Sequence, residues 1–428
     1  MGFLHEHIIL PLSDLAKGEC VHKYLRLLRE AEGWGDEQMK DFQQQRLRQL
    51  LTYAAKEVPF YRDWFSSNNI DPKTVTLDQL PVVSKALMRR EGIERFSADG
   101  FPSEERIPSR SSGSTGEPFS FYITKLSNSV NTAAKLRTWY MAGYRLGDRY
   151  MKIANGVRGS KIKRLQDAVN NCMYIPFYSI TDTSLQSILE KIERDKPLYI
   201  RSYPSPLLLL ARYRNSHPLY TFNPRHIMTT GSTLTAAHRA EIEKAFGCDV
   251  IDSYSCEGTA DCYETSAHDG YHVTNYYGII EVLDDNNHPV TDGIGRVIST
   301  DLWNLAHPFI RYDTQDLVEV HNGKIKQIMG RGSDALVSAN GTYYTVHNFS
   351  RFFTHDATGI DAYQIVRCRD KSIVFRLVIN ELYNQETERQ IINFWQQKLN
   401  VNVSVTIVDS IPLMQNNKYL TIIDETAD

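Results

Sequence analysis

Ser109 to Phe119 reads S-R-S-S-G-S-T-G-E-P-F, a run that gathers hydroxyls and glycines where polyphosphate oxygens can be held. Gly113 and Gly116 let backbone N–H groups come close to an anion and tolerate positive φ. Ser111, Ser112, Ser114 and Thr115 add hydroxyl donors. No lysine follows Gly116, so this is not the G-x-x-x-x-G-K-[ST] phosphate loop. The same composition also suits a plain surface loop of small polar residues, so the rest of the chain has to decide.

The elements around the loop point to an α/β protein. The run after it, Phe119 to Thr124, alternates apolar and polar residues as a strand does. Upstream, Leu47, Leu50, Leu51 and Ala54 recur at helical spacing, which predicts one helix over 36–65 ending near Pro59. Downstream, short strands and helices alternate from about 129 to 253, as in sheets flanked by helices. Within that stretch Ser202 to Pro206 reads as a turn, and Thr235 to Gly247 as a capped helix. Ligands in such sheets lie beyond the carboxyl ends of strands. That singles out Ala154 and Asn155, Tyr203 and Pro204, and Gly231 and Ser232 as candidate substrate-pocket residues. Residues 273–320 read as a β-rich subdomain. After Gly330-Arg331 a β-β-α-β order predicts a compact α+β domain. The expected organisation is a large N-terminal α/β domain, 1–331, and a small C-terminal domain, 332–428.

Composition removes several classes of function. In the 428 residues, 48 Lys and Arg nearly balance 51 Asp and Glu, with no long basic run, which argues against a nucleic-acid partner. No run of apolar residues is long enough to span a membrane, and the N-terminus does not read as a secretory signal. The six cysteines are scattered, as expected for reduced thiols in a cytoplasmic protein. The state of assembly stays open, a homodimer being one expectation.

Five stretches then fall in one order: S-S-G-S-T-G-E-P at 111–118, D-S-Y-S-C-E-G at 252–258, H-P-F-I-R-Y-D-T-Q-D at 307–316, G-R-G-S-D at 330–334 and P-L-M-Q-N-N-K at 412–418. In these the chain resembles the acyl-adenylate-forming, AMP-binding superfamily. More narrowly it is similar to the phenylacetate–CoA ligase family and its capsular-polysaccharide branch, to which Y-A-x-x-x-V-P-F-Y-R at 53–62 and L-P-V-V-S-K at 80–85 also point. The match runs over nearly the whole chain.

The resemblance implies ATP-dependent activation of a small carboxylic acid to an acyl-AMP, then transfer of the acyl group, by default to coenzyme A. An amine, such as that of an amino sugar, or a carrier thiol is the alternative acceptor. The aromatic content of 11% permits an aryl acid. Ser111 to Gly116 would hold the triphosphate. Glu257 would bind Mg²⁺ with Thr115 nearby, since one carboxylate often suffices for that ion. Tyr254, followed by Ser255, would offer adenine an aromatic face. Asp316 matches the ribose-binding aspartate and Arg331 the arginine before the hinge. Lys418 matches the catalytic lysine carried on a mobile C-terminal domain. Arg311 is either a site residue or a structural ion-pair former.

The chain departs from the family pattern at several points. Asn417 replaces the usual Gly before the lysine, Gln315 the Gly before Asp316, and Ser333 a hinge Asp. The 254–257 motif is altered. These departures leave open a protein of another class, a non-catalytic binder of nucleotide or acyl-AMP. Some relatives carry Cys and His pairs for a structural zinc. Here Cys256, Cys262, His268 and His272 are the candidates, and inert thiols with ordinary histidines are the expected outcome.

Overall fold

A computed structural model of the chain describes residues 2–110, 120–154, 160–176, 182–256, 258–331, 335–338, 343–412 and 420–426. It is a mixed α/β protein with several sheets. The chain divides into two compact units, Met1–Asp148 with Ser253–Gln327, and Arg149–Asp252 with Ile328–Asp428. Among the described residues no helix is long and apolar enough to cross a membrane.

The first unit is built on helices Asp36–Glu57 and Pro59–Asn68, where one continuous helix was expected. Proline crowds the residue before it out of the helical region, and Val58 is extended at φ −106°. Pro59 then opens the next helix, a position where its missing N–H costs nothing. Leu50, Leu51, Ala54 and Tyr61 pack with Val83, Phe96, Phe121, Phe309 and Tyr312 in one buried cluster. Strand Val83–Ser84 runs parallel to Tyr312–His321, which pairs antiparallel with Gly293–Asp301 and through it with Gly278–Leu283. The same unit carries the hairpin Ile107–Arg110 and Ser120–Ile123, in which Arg110 pairs with Ser120. Residues 111–119, which lie outside the described residues, connect these two paired strands, of which the second was expected from the sequence.

In the second unit, strand Tyr150–Ala154 is flanked by Cys172–Pro176 and Tyr199–Ser202, and the latter by His226–Thr230, all parallel. Met151, Ile153, Ile200 and Ile227 pack against helices Asp182–Asp195, Pro204–Ser216 and Ala236–Phe246. Apolar runs of this kind suit a parallel sheet covered by helices. The expected turn at 202–206 is instead the start of a helix, because Pro204 occupies the first helical position. Toward the C-terminus, Ile360–Arg367 pairs antiparallel with Ile373–Ile379, and Val403–Ile407 runs parallel to the latter. Ile422–Asp424 adds a fourth strand, parallel to Ile360–Arg367. Helix Gln385–Leu399 starts at Asn384, whose side chain accepts from two backbone N–H groups, and places Ile391, Trp395 and Leu399 in a core of their own with Phe349 and Phe375.

Candidate functional site

Two residues singled out from separate motifs meet in the first unit. Tyr254 lies on strand Asp249–Cys256 and Asp316 on Tyr312–His321. The Tyr254 hydroxyl donates to Asp316 Oδ2 at 2.7 Å and lies 3.4 Å from Thr314 Oγ1. Burial first, and then the Asp316 carboxylate, push the Tyr254 phenol well above its usual range, so it stays protonated and a donor.

Backbone geometry aims Asp316. Opposite strand Gly293–Asp301 the register shifts between Arg296 and Ile298, so that Arg296 faces Leu317 while Ile298 faces Asp313. The extra residues make a bulge, a device that turns a side chain out of the regular alternation. Gln315 takes φ +63° in it. Thr314 Oγ1 accepts from the Asp316 N–H at 3.1 Å and donates to the Val297 carbonyl at 3.0 Å. Asp313 accepts from the Gln315 N–H at 2.8 Å and pairs with Arg296.

Arg311 resolves as a structural residue. Its guanidinium makes a two-point pair with Glu281 at 3.1 and 3.0 Å and donates to the carbonyls of Leu80 at 2.6 Å and Asp78 at 3.1 Å. It is 3% exposed. It therefore ties the L-P-V-V-S-K stretch to the H-P-F-I-R-Y stretch, beside the pairing of Val83 with Tyr312.

The residues on either side of position 257 are also held. Tyr277 donates to the Gly258 carbonyl and accepts from Asn131 Nδ2 at 2.6 Å. Thr259 Oγ1 donates to the Cys256 carbonyl at 2.8 Å. Glu257 itself lies outside the described residues, as do Ser111, Ser112, Gly113, Ser114, Thr115, Gly116, Asn155 and Lys418. Arg331 is described by its backbone, as the last residue of strand Lys324–Arg331. Ser255 is paired across the strands with Asp261.

The described pocket candidates lie in the second unit, at the carboxyl ends of neighbouring parallel strands. Ala154 ends one strand, Tyr203 and Pro204 follow the next, and Gly231 and Ser232 the third. Gly231 has φ +77°, and a Cβ there would stand 2.7 Å from Tyr203 Cε1. Only glycine lets the Tyr203 ring lie so close. A contact that sequence reasoning missed joins Thr229 Oγ1 to Asp252 Oδ1 at 2.5 Å, both side chains buried. Its trace in the sequence was Asp252 heading the D-S-Y-S-C-E-G stretch.

For zinc, Cys256 and Cys262 are buried on paired strands. Burial first, and then the Asp261 carboxylate, push the Cys262 thiol well up. His272 pairs with Asp269 at 3.0 Å. Among the described residues no group of three or more His, Cys, Asp or Glu side chains is arranged to hold a metal.

No family model matches the chain. Protein CapK of Staphylococcus aureus is 24% identical over 363 residues, covering 80% of this chain and 79% of that protein. A phenylacetate–coenzyme A ligase of Pseudomonas putida is 27% identical over 328 residues, 70% of this chain and 72% of that one. Among solved structures, a 2-hydroxyisobutyryl-CoA ligase in the postadenylation state with 2-HIB-AMP shares the fold, with a TM-score of 0.71 at 20% identity, over 90% of this chain and 89% of that chain. The chain is similar in sequence to CapK and to phenylacetate–CoA ligases, and in fold to AMP-forming CoA ligases. Gln315 adopts a left-handed backbone, of the kind glycine takes at little cost, without being glycine.

Proposed function

We propose that the protein activates a small carboxylic acid with ATP and Mg²⁺, releasing pyrophosphate, and passes the acyl group to coenzyme A. The relatives indicate an AMP-forming ligase; the acid and the acceptor are part of the proposal. In the first step a carboxylate oxygen attacks the α-phosphorus and pyrophosphate leaves. In the second a thiol sulfur attacks the acyl carbon, the thiol proton is lost and AMP leaves. The observation that carries the reading is the Tyr254–Asp316 hydrogen bond, which joins two motif stretches 62 positions apart into one acceptor. A carboxylate offers about four acceptor positions. Tyr254 takes one of them, and Asp316 is the acceptor we assign to the ribose hydroxyls, while the Tyr254 ring serves adenine.

The remaining roles belong to the same reading. Ser111, Ser112, Gly113, Ser114, Thr115 and Gly116 cradle the triphosphate, and Glu257 holds Mg²⁺, which offsets phosphate charge. Lys418 stabilises the charge developing at the α-phosphate, and Arg331 precedes a hinge about which 332–428 turns. Ala154, Asn155, Tyr203, Pro204, Gly231 and Ser232 shape the acid pocket.

Pyrophosphate release across a panel of carboxylic acids tests this. The wild type should release pyrophosphate only with ATP, Mg²⁺ and a fitting acid, and Glu257→Gln should fold but lose that activity. Lys418→Ala should slow acyl-AMP formation by about 10²–10³ and largely spare transfer from supplied acyl-AMP. Equal losses in both half-reactions would make Lys418 structural. ATP binding without release for any acid would favour a non-catalytic binder. Product analysis with coenzyme A or an amino sugar identifies the acceptor.

A further inference from the structure

The short strand segment that carries Asp316 leaves its carboxylate only partly buried, on a bulge, beside an exposed Gln315. A partly buried carboxylate at such a place still has several rotamers to choose from. One of its oxygens is nonetheless fixed. An ionised carboxylate only accepts, so the proton in the 2.7 Å contact is the tyrosine's. The same hydroxyl has a second neighbour, Thr314 Oγ1 at 3.4 Å, but it has one proton to give and the shorter contact takes it. Thr314 Oγ1 spends its own proton on the Val297 carbonyl and accepts the Asp316 N–H. Tyr254, Thr314 and the bulge thus hold both the backbone and the side chain of Asp316.

From this geometry we infer that the Tyr254 hydroxyl is a positioning residue for nucleotide recognition: it presets the Asp316 carboxylate for a vicinal diol, so that ribose is required in the bound nucleotide. The inference rests on the reading of Asp316 as the ribose acceptor. It assigns the tyrosine two separable parts, a ring that faces the base and a hydroxyl that acts through Asp316 on the sugar. Ribose contacts hold equally in ground and transition states, so losing the hydroxyl raises KM for ATP.

Calorimetric titration with ATP·Mg²⁺ and with 2′,3′-dideoxy-ATP·Mg²⁺ separates these parts without knowledge of the acid. The proteins are wild type, Tyr254→Phe, which keeps the ring, and Asp316→Asn. The wild type should prefer ATP by roughly 10- to 100-fold, as expected for hydrogen bonds to a charged group. Asp316→Asn should lose most of that ratio. Tyr254→Phe should cut the ratio by about 10-fold by weakening ATP alone, with dideoxy-ATP binding and the melting temperature held within error. A Tyr254→Phe protein that keeps the wild-type ratio overturns the inference. A fall equal for both nucleotides also overturns it, since that marks a structural role or a ring effect. If Asp316→Asn keeps the ratio, the ribose reading of Asp316 fails first, and the inference with it.

Discussion

Asp301 offers a test of how the scaffold behind the site depends on pH. It ends strand Gly293–Asp301 and is 3% exposed. Its Oδ1 accepts the Trp303 N–H at 2.8 Å, and Arg46 lies 4.0 Å over the Trp303 ring. Burial pushes the carboxyl up to about 7, against the pull of the Trp303 and Asn304 N–H groups and of Arg46. The ordinary value is 3.8. An acid whose folded pKa is raised holds its proton longer in the folded state than in the unfolded one. Stability from this group is therefore full below about pH 4, falls as pH rises toward 7, and stays low above it. At about 1.36 kcal/mol per unit the whole window is worth about 4 kcal/mol, and the part between pH 5 and 8 about 3 kcal/mol. Asp301→Asn keeps an oxygen for the Trp303 N–H and never ionises. Urea unfolding of both proteins at pH 5 and pH 8 reads the double difference, in which other titrating groups cancel. The variant should gain about 3 kcal/mol on the wild type from pH 5 to 8. A difference that does not move with pH would refute the reasoning, and one that falls would reverse its sign.

Arg311→Met should destabilise the protein by about 3–5 kcal/mol, because Glu281 would be left largely buried without its two-point partner; Glu281→Gln in the same chain should recover part of that loss, both read by urea unfolding. Gly231→Ala meets both a left-handed backbone and the Tyr203 ring, so it should cost more than about 1 kcal/mol and shift the order of preferred acids in the pyrophosphate assay. Adding Tyr203→Ala should relieve the steric share alone, and an unchanged acid order in both variants would remove these residues from the pocket.

What could be read from the sequence was what local chemistry enforces. Thr235 caps its helix by accepting the His238 N–H at 3.1 Å, and Gly247 ends it at φ +60°, as their residue types announce. Strand Ile373–Ile379 and helix Gln385–Leu399 follow from apolar periods of two and of three to four. Proline misled twice, because the same residue ends one helix and opens another. The long-range pairs were not legible at all. Thr229 with Asp252, Arg311 with Glu281 and Leu80, and Tyr254 with Asp316 join residues far apart in the chain, and no periodicity encodes such meetings. The motif order named several of these residues without saying which touches which, so Arg311 could be placed in the site or in the scaffold until its partners were seen.

The departures from the family pattern bear on function through backbone cost. Arg311 and Gln315 both take positive φ, at +47° and +63°, and they bracket the three residues Tyr312, Asp313 and Thr314. A left-handed backbone costs a non-glycine residue roughly 1–2 kcal/mol. Strain of this kind persists where surrounding contacts over-determine it, and here they do: Arg311 is anchored at four acceptor atoms and Gln315 by the Asp313 side chain. The bulge is therefore held in shape with a residue other than glycine at position 315. Gln315 thus bears the backbone cost of the turn, while Thr314 and Tyr254 hold the backbone and the carboxylate of Asp316 in place.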